Sequence, residues 1–534
     1  MSRFDVVVIG SGAGGAPVAE RLAASGAKVL VIERGRAYKR EDFDRDEIEW
    51  CRRDRFVPSP KSDPHTRRND EGQHAVPTTD GWISTVVGGG TVHMGGYLLR
   101  ADAADAKQGA RLSSEKGHTA LDWAVPFDDI ARFYPVAEKE LGVSGAPGGA
   151  PALADHPLAK KVEAAASALG LPCTKTPRGI LTEARPDEDR RACHYHDLCA
   201  SYGCPDDAKA SMSATYLRRG QRTGNLTLWP ETRALRIEHD GKGTAKGVRV
   251  LRPGKGEELI EAGAVVVACG AIESARLLLL SGEGLNPGGN VGKHLWFSLF
   301  VETTGFFLKD AHADVEELLA GSPFLNRTVL HGGHLPTARV QAAGVDRAGT
   351  LQVGFVHDNP IHRAERVATE GGLLWGRGLK EALRRAFRDG RQVVVEGFGE
   401  SVPHPGSYID LDPRVRDSLG LPAARITYFH HPRDRRVAGE MAKDARALLE
   451  NMGAVDVRVT RPLSETVVLQ GGTCRFGESA KDSVVDRDGC VHGTKNVFVS
   501  DGAALPSSTC VPITLTLVAN ALRTAERIRA RMGA

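Results

Sequence analysis

Residues 4 to 35 constrain the fold more than any other stretch of the chain. Phe4-Asp5-Val6-Val7-Val8-Ile9 is an apolar strand run, Gly10-Ser11-Gly12-Ala13-Gly14-Gly15 is a G-x-G-x-x-G turn, and a small-residue helix follows through Ala16, Val18, Ala19, Leu22 and Ala23. A second strand, Lys28-Val29-Leu30-Val31-Ile32, ends in Glu33 and Arg34. The glycines have separate physical tasks: Gly10 allows the tight turn, Gly12 lets backbone approach a pyrophosphate, and Gly15 lets helix and strand pack closely. The helix N-terminus then turns its partial positive charge to the phosphates. Glu33, roughly 20 residues on, stands where a carboxylate accepts ribose hydroxyls and disfavours a 2′-phosphate. Strand, turn, helix and acid together predict a Rossmann-type dinucleotide site.

The rest of the chain limits what surrounds that site. A length of 534 residues exceeds a single core and predicts two or three domains. Lys and Arg number 70 against 67 Asp and Glu, a net charge of +3 that gives no reason to expect nucleic acid. Met1 to Asp5 leads directly into the first strand, so no signal or transit segment is expected. No apolar run approaches the roughly 20 residues of a membrane helix. Nine cysteines in such a chain do not form a disulfide framework, and a cytoplasmic protein acting on a small molecule is expected.

Asp63 to Gly72 is nearly all polar and reads as a surface excursion or lid, whereas Val86 to Gly96 is a second glycine-rich loop. Asp128 to Glu140 has helical spacing, with Pro135 kinking or restarting it. Residues 144–157 read as a connector, and Leu226 to Val250 alternates like antiparallel strands about a turn at Asp240 to Gly243. Ala264 to Cys269 is a buried strand followed by a helix from Gly270 to Ser281. Asn496 to Asp501 is another strand ending in an acid, and a helix from Leu515 to Met532 follows. The expected division is a discontinuous cofactor domain, residues 1–300 and 464–534, with a substrate domain at 301–463.

Three segments choose among dinucleotide enzymes. Gly270-Ala271-Ile272-Glu273-Ser274-Ala275-Arg276-Leu277 through Gly282 resembles the second signature of the glucose–methanol–choline (GMC) flavoprotein oxidoreductases, departing from it at Ala275 and Glu283. Gly472-Thr473-Cys474-Arg475-Phe476-Gly477, with Ser483 to Asp486 and Gly489, resembles the family's C-terminal block. Asn496 to Ile528 resembles its last strand, acid and helix. The likeness covers most of the chain and leans toward the fructose dehydrogenase, gluconate dehydrogenase and pyranose oxidase branch.

The resemblance implies an α/β fold: a Rossmann-like FAD-binding domain plus an α+β substrate domain with an antiparallel sheet, as in p-hydroxybenzoate hydroxylase. It places the FAD diphosphate over Gly10, Gly12, Ala13 and Gly15, with the adenosine beside Glu33, Arg34 and Ala234. Asp501 and Gly502 would lie near the diphosphate and ribityl chain. Gly89, Thr91, His93, Met94, Gly95, Thr514 and Leu515 would lie along the flavin. His93 falls where pyranose oxidase attaches its flavin covalently; a histidine packed non-covalently near the ring is the alternative and the expectation. Oxygen or an electron carrier would reoxidise the flavin.

The sequence leaves the family pattern at the chemistry. The family's base is a histidine three residues before the Gly-Thr of the C-terminal block, and its partner is a His or Asn two residues before the Thr-Leu-Thr of the last helix. Leu469 and Pro512 hold these positions here, and neither side chain accepts a proton. A positioned base contributes on the order of 10²–10⁴ in rate. Glu400, His404, His430 and His431 are candidate substitutes, with Glu465 near Leu469 in sequence. The alternatives are changed chemistry on an activated substrate (desaturation, bond cleavage or elimination) or a non-catalytic FAD-binding subunit.

Cys193, Cys199 and Cys204 resemble a triplet that holds an iron–sulfur cluster in the dehydrogenase branch, although the second spacing is one residue longer. His194 and His196 suggest zinc as another option, and plain structural thiols are the expectation. Arg377 to Arg391 reads as a basic helix, solvated or facing an anionic partner.

Overall fold

Continuous apolar runs build the first sheet outward from its middle. In the computed structural model, which describes all residues except 1–2, 45, 53–54, 83, 155–157, 196–199, 309–326, 332–346, 356–358, 370–371, 462, 464–468 and 534, Arg3–Ile9 is the central strand. It pairs in parallel with Val29–Ile32 on one side (Val6 opposite Val29) and with Gly256–Val267 on the other (Val6 opposite Ala264). Val6, Val7, Val8 and Val29 to Val31 have no solvent exposure, which is why these strands are apolar throughout instead of alternating. Helix Ala16–Ala24 covers one face and packs on the terminal helix Thr514–Met532, so the two ends of the chain share one core. Val497–Val499 extends the same sheet, parallel to Val265–Val267.

Two local expectations change. The antiparallel pair about Asp240 to Gly243 forms as expected, Arg233–His239 with Ala245–Arg252, but Leu226–Trp229 stands outside it, parallel to Val29–Ile32. Alternation fixes which residues face the core but not which strand is the neighbour. Nor is the polar stretch after Asp63 a lid. His65–Arg68 is a strand between Pro422–Thr427 and Val76–Thr78, with His65 and Thr66 fully buried.

The second body is built on an antiparallel sheet in the order Val455–Arg461, Leu299–Leu308, Gly390–Gly399, Gly349–Phe355, Arg327–His331, Cys173–Lys175. Helix Pro432–Asn451 packs on one face through Val437, Met441, Leu448 and Leu449. Helix Ala159–Ala168 and strand Cys173–Lys175 also belong to this body, because Val162, Ala165 and Ala166 join its core. The interval 301–463 is thus too narrow a description of it. The basic helix forms over Gly376–Phe387, with none of its residues buried. Among the described residues no helix is long and apolar enough to cross a membrane.

Candidate active site

The first turn shows why its glycines are required. Gly10 sits at φ +102°, and a Cβ there would fall 2.2 Å from the Ala268 carbonyl oxygen. A Cβ on Gly15 would fall 2.0 Å from the Gly10 oxygen, and one on Gly14 would fall 2.7 Å from the Asp501 Cα. The second glycine loop rests directly on the first: Gly89, at φ +60°, would place a Cβ 2.9 Å from the Gly12 Cα. Gly12 itself has nothing nearer than 3.7 Å on its Cβ side, leaving an open cradle at the start of helix Ala16–Ala24.

Ser11 ties these loops to the acid. Its hydroxyl donates to Glu33 Oε2 at 2.6 Å and accepts the Gly88 N–H at 2.9 Å, while the Gly35 N–H donates to Glu33 Oε1 at 2.8 Å. Burial pushes the Glu33 carboxyl up, and these hydrogen bonds oppose the rise. At the other end of the chain, Asp501 Oδ2 accepts from the Ser274 hydroxyl (2.6 Å) and the Gly270 N–H (2.8 Å), and Oδ1 accepts from the Ala503 N–H (2.8 Å). The second signature and the last strand are therefore joined at one carboxylate.

A cavity of about 250 Å³ opens beside these groups. Its lining joins Gly10, Gly12, Ala13, Glu33, Arg34 and Ala234 with Gly89, Thr91 and Met94, with Asp501 and Gly502, and with Leu469, Gln470, Ile513 and Thr514. Leu515 is buried just behind Thr514. Around Arg34 and Glu273 in the lining stand groups that sequence reasoning missed. His65 stacks on Trp82 (4.2 Å between centroids), Arg34 lies 4.6 Å over the same indole, and His65 Nε2 approaches Glu273 Oε1 at 3.0 Å. Burial would raise the Glu273 carboxyl, but Arg276, His65 and Arg34 outweigh it and hold Glu273 well below the usual carboxylate range.

The lining fits a dinucleotide: an open backbone cradle at a helix start, a buried acid held by Ser11 beside it, and apolar side chains such as Leu469 and Ile513. The comparisons agree. Two family models described as GMC oxidoreductase match residues 73–299 and 403–521. The chain belongs to the GMC oxidoreductases. It is 31% identical to 6'''-hydroxyparomomycin C oxidase of Streptomyces lividus (99% of this chain, 92% of that protein). It is likewise 31% identical to paromamine 6'-oxidase of Streptomyces fradiae (98% and 91%). The branch expected from sequence is also represented, by fructose dehydrogenase large subunit and gluconate 2-dehydrogenase flavoprotein at 25% and 26% identity. The crystal structure of pyridoxine 4-oxidase shares the fold, with TM-score 0.63 at 18% identity over 99% of both chains. As a GMC oxidoreductase the protein is an FAD-dependent enzyme.

In this GMC oxidoreductase, Leu469 faces the cavity and Pro512 is buried outside its lining. Leu469 is held at φ +50°, its carbonyl accepting the Ser298 N–H at 2.9 Å. Among the described residues lining the cavity there is no histidine. The structure does not bring the four candidate substitutes there either, because the chain after Gly399 is drawn to the start of helix Pro432–Asn451, where the Val402 N–H donates to Asp434 Oδ1 at 3.0 Å. Glu400 is fully buried, ion-paired with Arg111 and with Arg433 at 3.4 Å. His404 Nδ1 accepts the Gly406 N–H at 3.0 Å. His431 caps that helix: its Nδ1 accepts the Arg433 N–H at 3.2 Å and its Nε2 donates to the Lys116 carbonyl at 2.8 Å. His430 stands edge-on to Tyr428 (4.9 Å), both ring nitrogens buried without a hydrogen-bond partner. Glu465 lies outside the described residues.

His93 does not line the cavity; its ring stacks on Phe56, 5.0 Å between centroids. Gly95 lies beyond Met94, its carbonyl accepting from Arg178 at 2.6 Å. Cys193 and Cys204 pack beside a small apolar cluster of Leu153, Ile180, Leu181 and Ala208, whereas His196 and Cys199 fall outside the described residues. His194 Nδ1 lies 3.0 Å from Asp206. Among the described residues no group of three or more His, Cys, Asp or Glu is arranged to hold a metal.

Proposed function

We propose that the protein oxidises a CH–OH group of an amino-sugar or related alcohol to a carbonyl, using FAD. The observation that carries this reading is one cavity whose lining joins the acid and glycine cradle, Glu33 and Gly12, to Leu469 and Thr514. The diphosphate would lie over Gly10, Gly12, Ala13 and Gly15, with the adenosine by Glu33, Arg34 and Ala234. Asp501 and Gly502 would hold the ribityl region, and Gly89, Thr91, Met94, Gly95, Thr514 and Leu515 would shape the flavin end. Bound there, the flavin supplies the two-electron acceptor for a substrate hydride.

The chain's own part is to exclude water, orient the alcohol and receive its proton. Leu469 packs without serving as a base, and Pro512 lacks both an accepting side chain and a backbone donor. The oxidase names of the two Streptomyces relatives support an alcohol of the aminoglycoside class as substrate and dioxygen as acceptor. His93, engaged by Phe56, supports non-covalent flavin. The packing of Cys193 and Cys204 supports structural thiols, and the buried thiols of Cys474, Cys490 and Cys510, none in a disulfide, support a reducing cytoplasmic setting.

Anaerobic mixing of FAD-loaded protein with paromamine tests the reading. Bleaching of the flavin band, slowed by deuterium at the oxidised carbon, is expected. Protein that takes up no FAD, or holoprotein that stays oxidised with every amino-sugar alcohol offered, overturns it.

A further inference from the structure

Strand Gly349–Phe355 lies antiparallel to Gly390–Gly399 with Phe355 opposite Val393, so a turn of about 2–5 residues could join them. Residues 356–389 intervene instead. They carry two helices, Pro360–Thr369 and Gly376–Phe387, packed on one another as a hairpin, and no residue of either is buried. The foot of the hairpin is fastened to the N-terminal half of the chain. Glu47 accepts the Ile361 and His362 N–H groups at 2.8 and 2.7 Å, and the Tyr202 hydroxyl donates to Asn359 Oδ1 at 2.8 Å.

The tip is left to solvent. Every residue from Gly372 to Gly378 is exposed, Leu373 at 78% and Trp375 at 82%. The Leu374 N–H donates to the Ala368 carbonyl at 2.8 Å, so a held turn presents these two apolar side chains. Large apolar groups side by side on such a turn mark a surface for association. The cations follow the same hairpin. Between Pro360 and Arg391 eight Lys and Arg stand against four Asp and Glu, an excess greater than the +3 of the whole chain. In helix Gly376–Phe387 the half-buried stripe Leu379, Ala382, Leu383 and Ala386 is taken up by the partner helix and strand Gly390–Gly399. Lys380, Arg384 and Arg388 fall four apart outside that stripe, all exposed. Arg377 pairs with Glu381 at 2.8 Å and Arg385 with Asp456, whereas among the described residues no acid pairs with Lys380, Arg384 or Arg388.

We propose that this tip docks the protein on a bilayer that bears anionic headgroups. Leu373 and Trp375 enter the boundary between headgroups and acyl chains, where an indole is favoured, and the row of cations meets lipid phosphate. Because the helix's own apolar stripe is occupied, only the turn inserts, and binding is shallow, reversible and sensitive to salt. A second copy of the chain is the poorer occupant. A two-fold contact would set Lys380 and Arg384 against their own mates, and two apolar side chains cover far less than the roughly 1,200 Å² of a stable interface. None of these residues lines the cofactor cavity, so docking and oxidation are separate properties.

Flotation of the FAD-loaded holoenzyme with lipid vesicles decides the matter. Mixed phosphatidylcholine–phosphatidylglycerol vesicles should carry the protein upward, pure phosphatidylcholine should not, and about 1 M NaCl should release it. Leu373→Ser/Trp375→Ser and Lys380→Glu/Arg384→Glu should each weaken binding on the order of tenfold or more, with flavin absorbance unchanged. Brominated acyl chains should quench tryptophan emission in the wild type and leave Trp375→Phe unquenched, a readout that remains if the double variants do not fold. Holoenzyme that ignores anionic vesicles, floats equally with both kinds, or binds undiminished in Leu373→Ser/Trp375→Ser overturns the proposal. Concentration-dependent dimerisation without flotation, abolished by Trp375→Ser, also overturns it and assigns the tip to a second copy. No alcohol enters the test, so its failure leaves the oxidase reading standing, and an inactive oxidase that floats leaves the docking surface standing.

Discussion

The Ser274 hydroxyl donates to Asp501 Oδ2 at 2.6 Å, across 227 residues of sequence, with both groups buried. Burial is what raises the Asp501 carboxyl, and Ser274 is the foremost group opposing it. Ser274→Ala removes a hydrogen bond to a charged group, a class that contributes about 1.5–3 kcal/mol. Urea unfolding of the apoprotein should show a loss of that order, and an unchanged midpoint would contradict the role given to this pair.

Two glycine substitutions should separate fold from cofactor binding. Gly15→Ala forces a methyl onto the Gly10 oxygen and should prevent folding. Gly12→Ala meets nothing closer than 3.7 Å, so it should fold normally yet recover little FAD, because its methyl fills the phosphate cradle. Circular dichroism and the flavin-to-protein absorbance ratio read the two effects; wild-type flavin content in Gly12→Ala would move the diphosphate elsewhere.

Acidification should destabilise the protein through two histidines. Burial, then Arg435 and Arg67, pushes His430 down to about 4; burial, then Arg475 and Lys293, pushes His294 down to about 3. The unfolded chain protonates both near the ordinary value of about 6.5, so between there and pH about 4 the unfolded state binds more protons. Stability is complete above about pH 6.5 and falls as pH drops. Melting temperature against pH should show the fall, and His430→Phe should flatten it. A slope unaltered in that variant would place the acid sensitivity at other groups.

Leu469 offers a way to restore the family's usual base. Its φ of +50° is one that histidine adopts more readily than leucine. Leu469→His should be reduced by substrate at least tenfold faster than the wild-type protein, with a pH dependence near an ordinary imidazole. No gain, with flavin bound and protein folded, would mean that position 469 does not face the reacting hydroxyl.

Local patterns read correctly where the structure was local. The turn at Gly10 to Gly15, the acid Glu33 and the helix from Ala271 carry their meaning within a few dozen residues. What stayed hidden depends on distant partners. The strand His65–Arg68 looks like a polar loop because its neighbour, Arg425 to Thr427, arrives more than three hundred residues later and buries its inner face. Glu396 reads as one more polar position in an alternating strand until Tyr97, 299 residues earlier, is seen to meet it. Glu400 is expected at the site because it aligns with an acid there in relatives, and His404 because it follows on the same side, yet neither they nor strand Gly390–Gly399, which leads to them, line the cavity.

The Ser500 hydroxyl donates to the Gly14 carbonyl at 2.7 Å across 486 residues, and Val497–Val499 completes the sheet that Arg3–Ile9 begins. During synthesis, then, the glycine turn is made 486 residues before the hydroxyl that fastens it. A chain stopped between Gly35 and Val497 would carry the whole glycine turn yet lack both the last parallel strand and the hydroxyl that holds the Gly14 carbonyl.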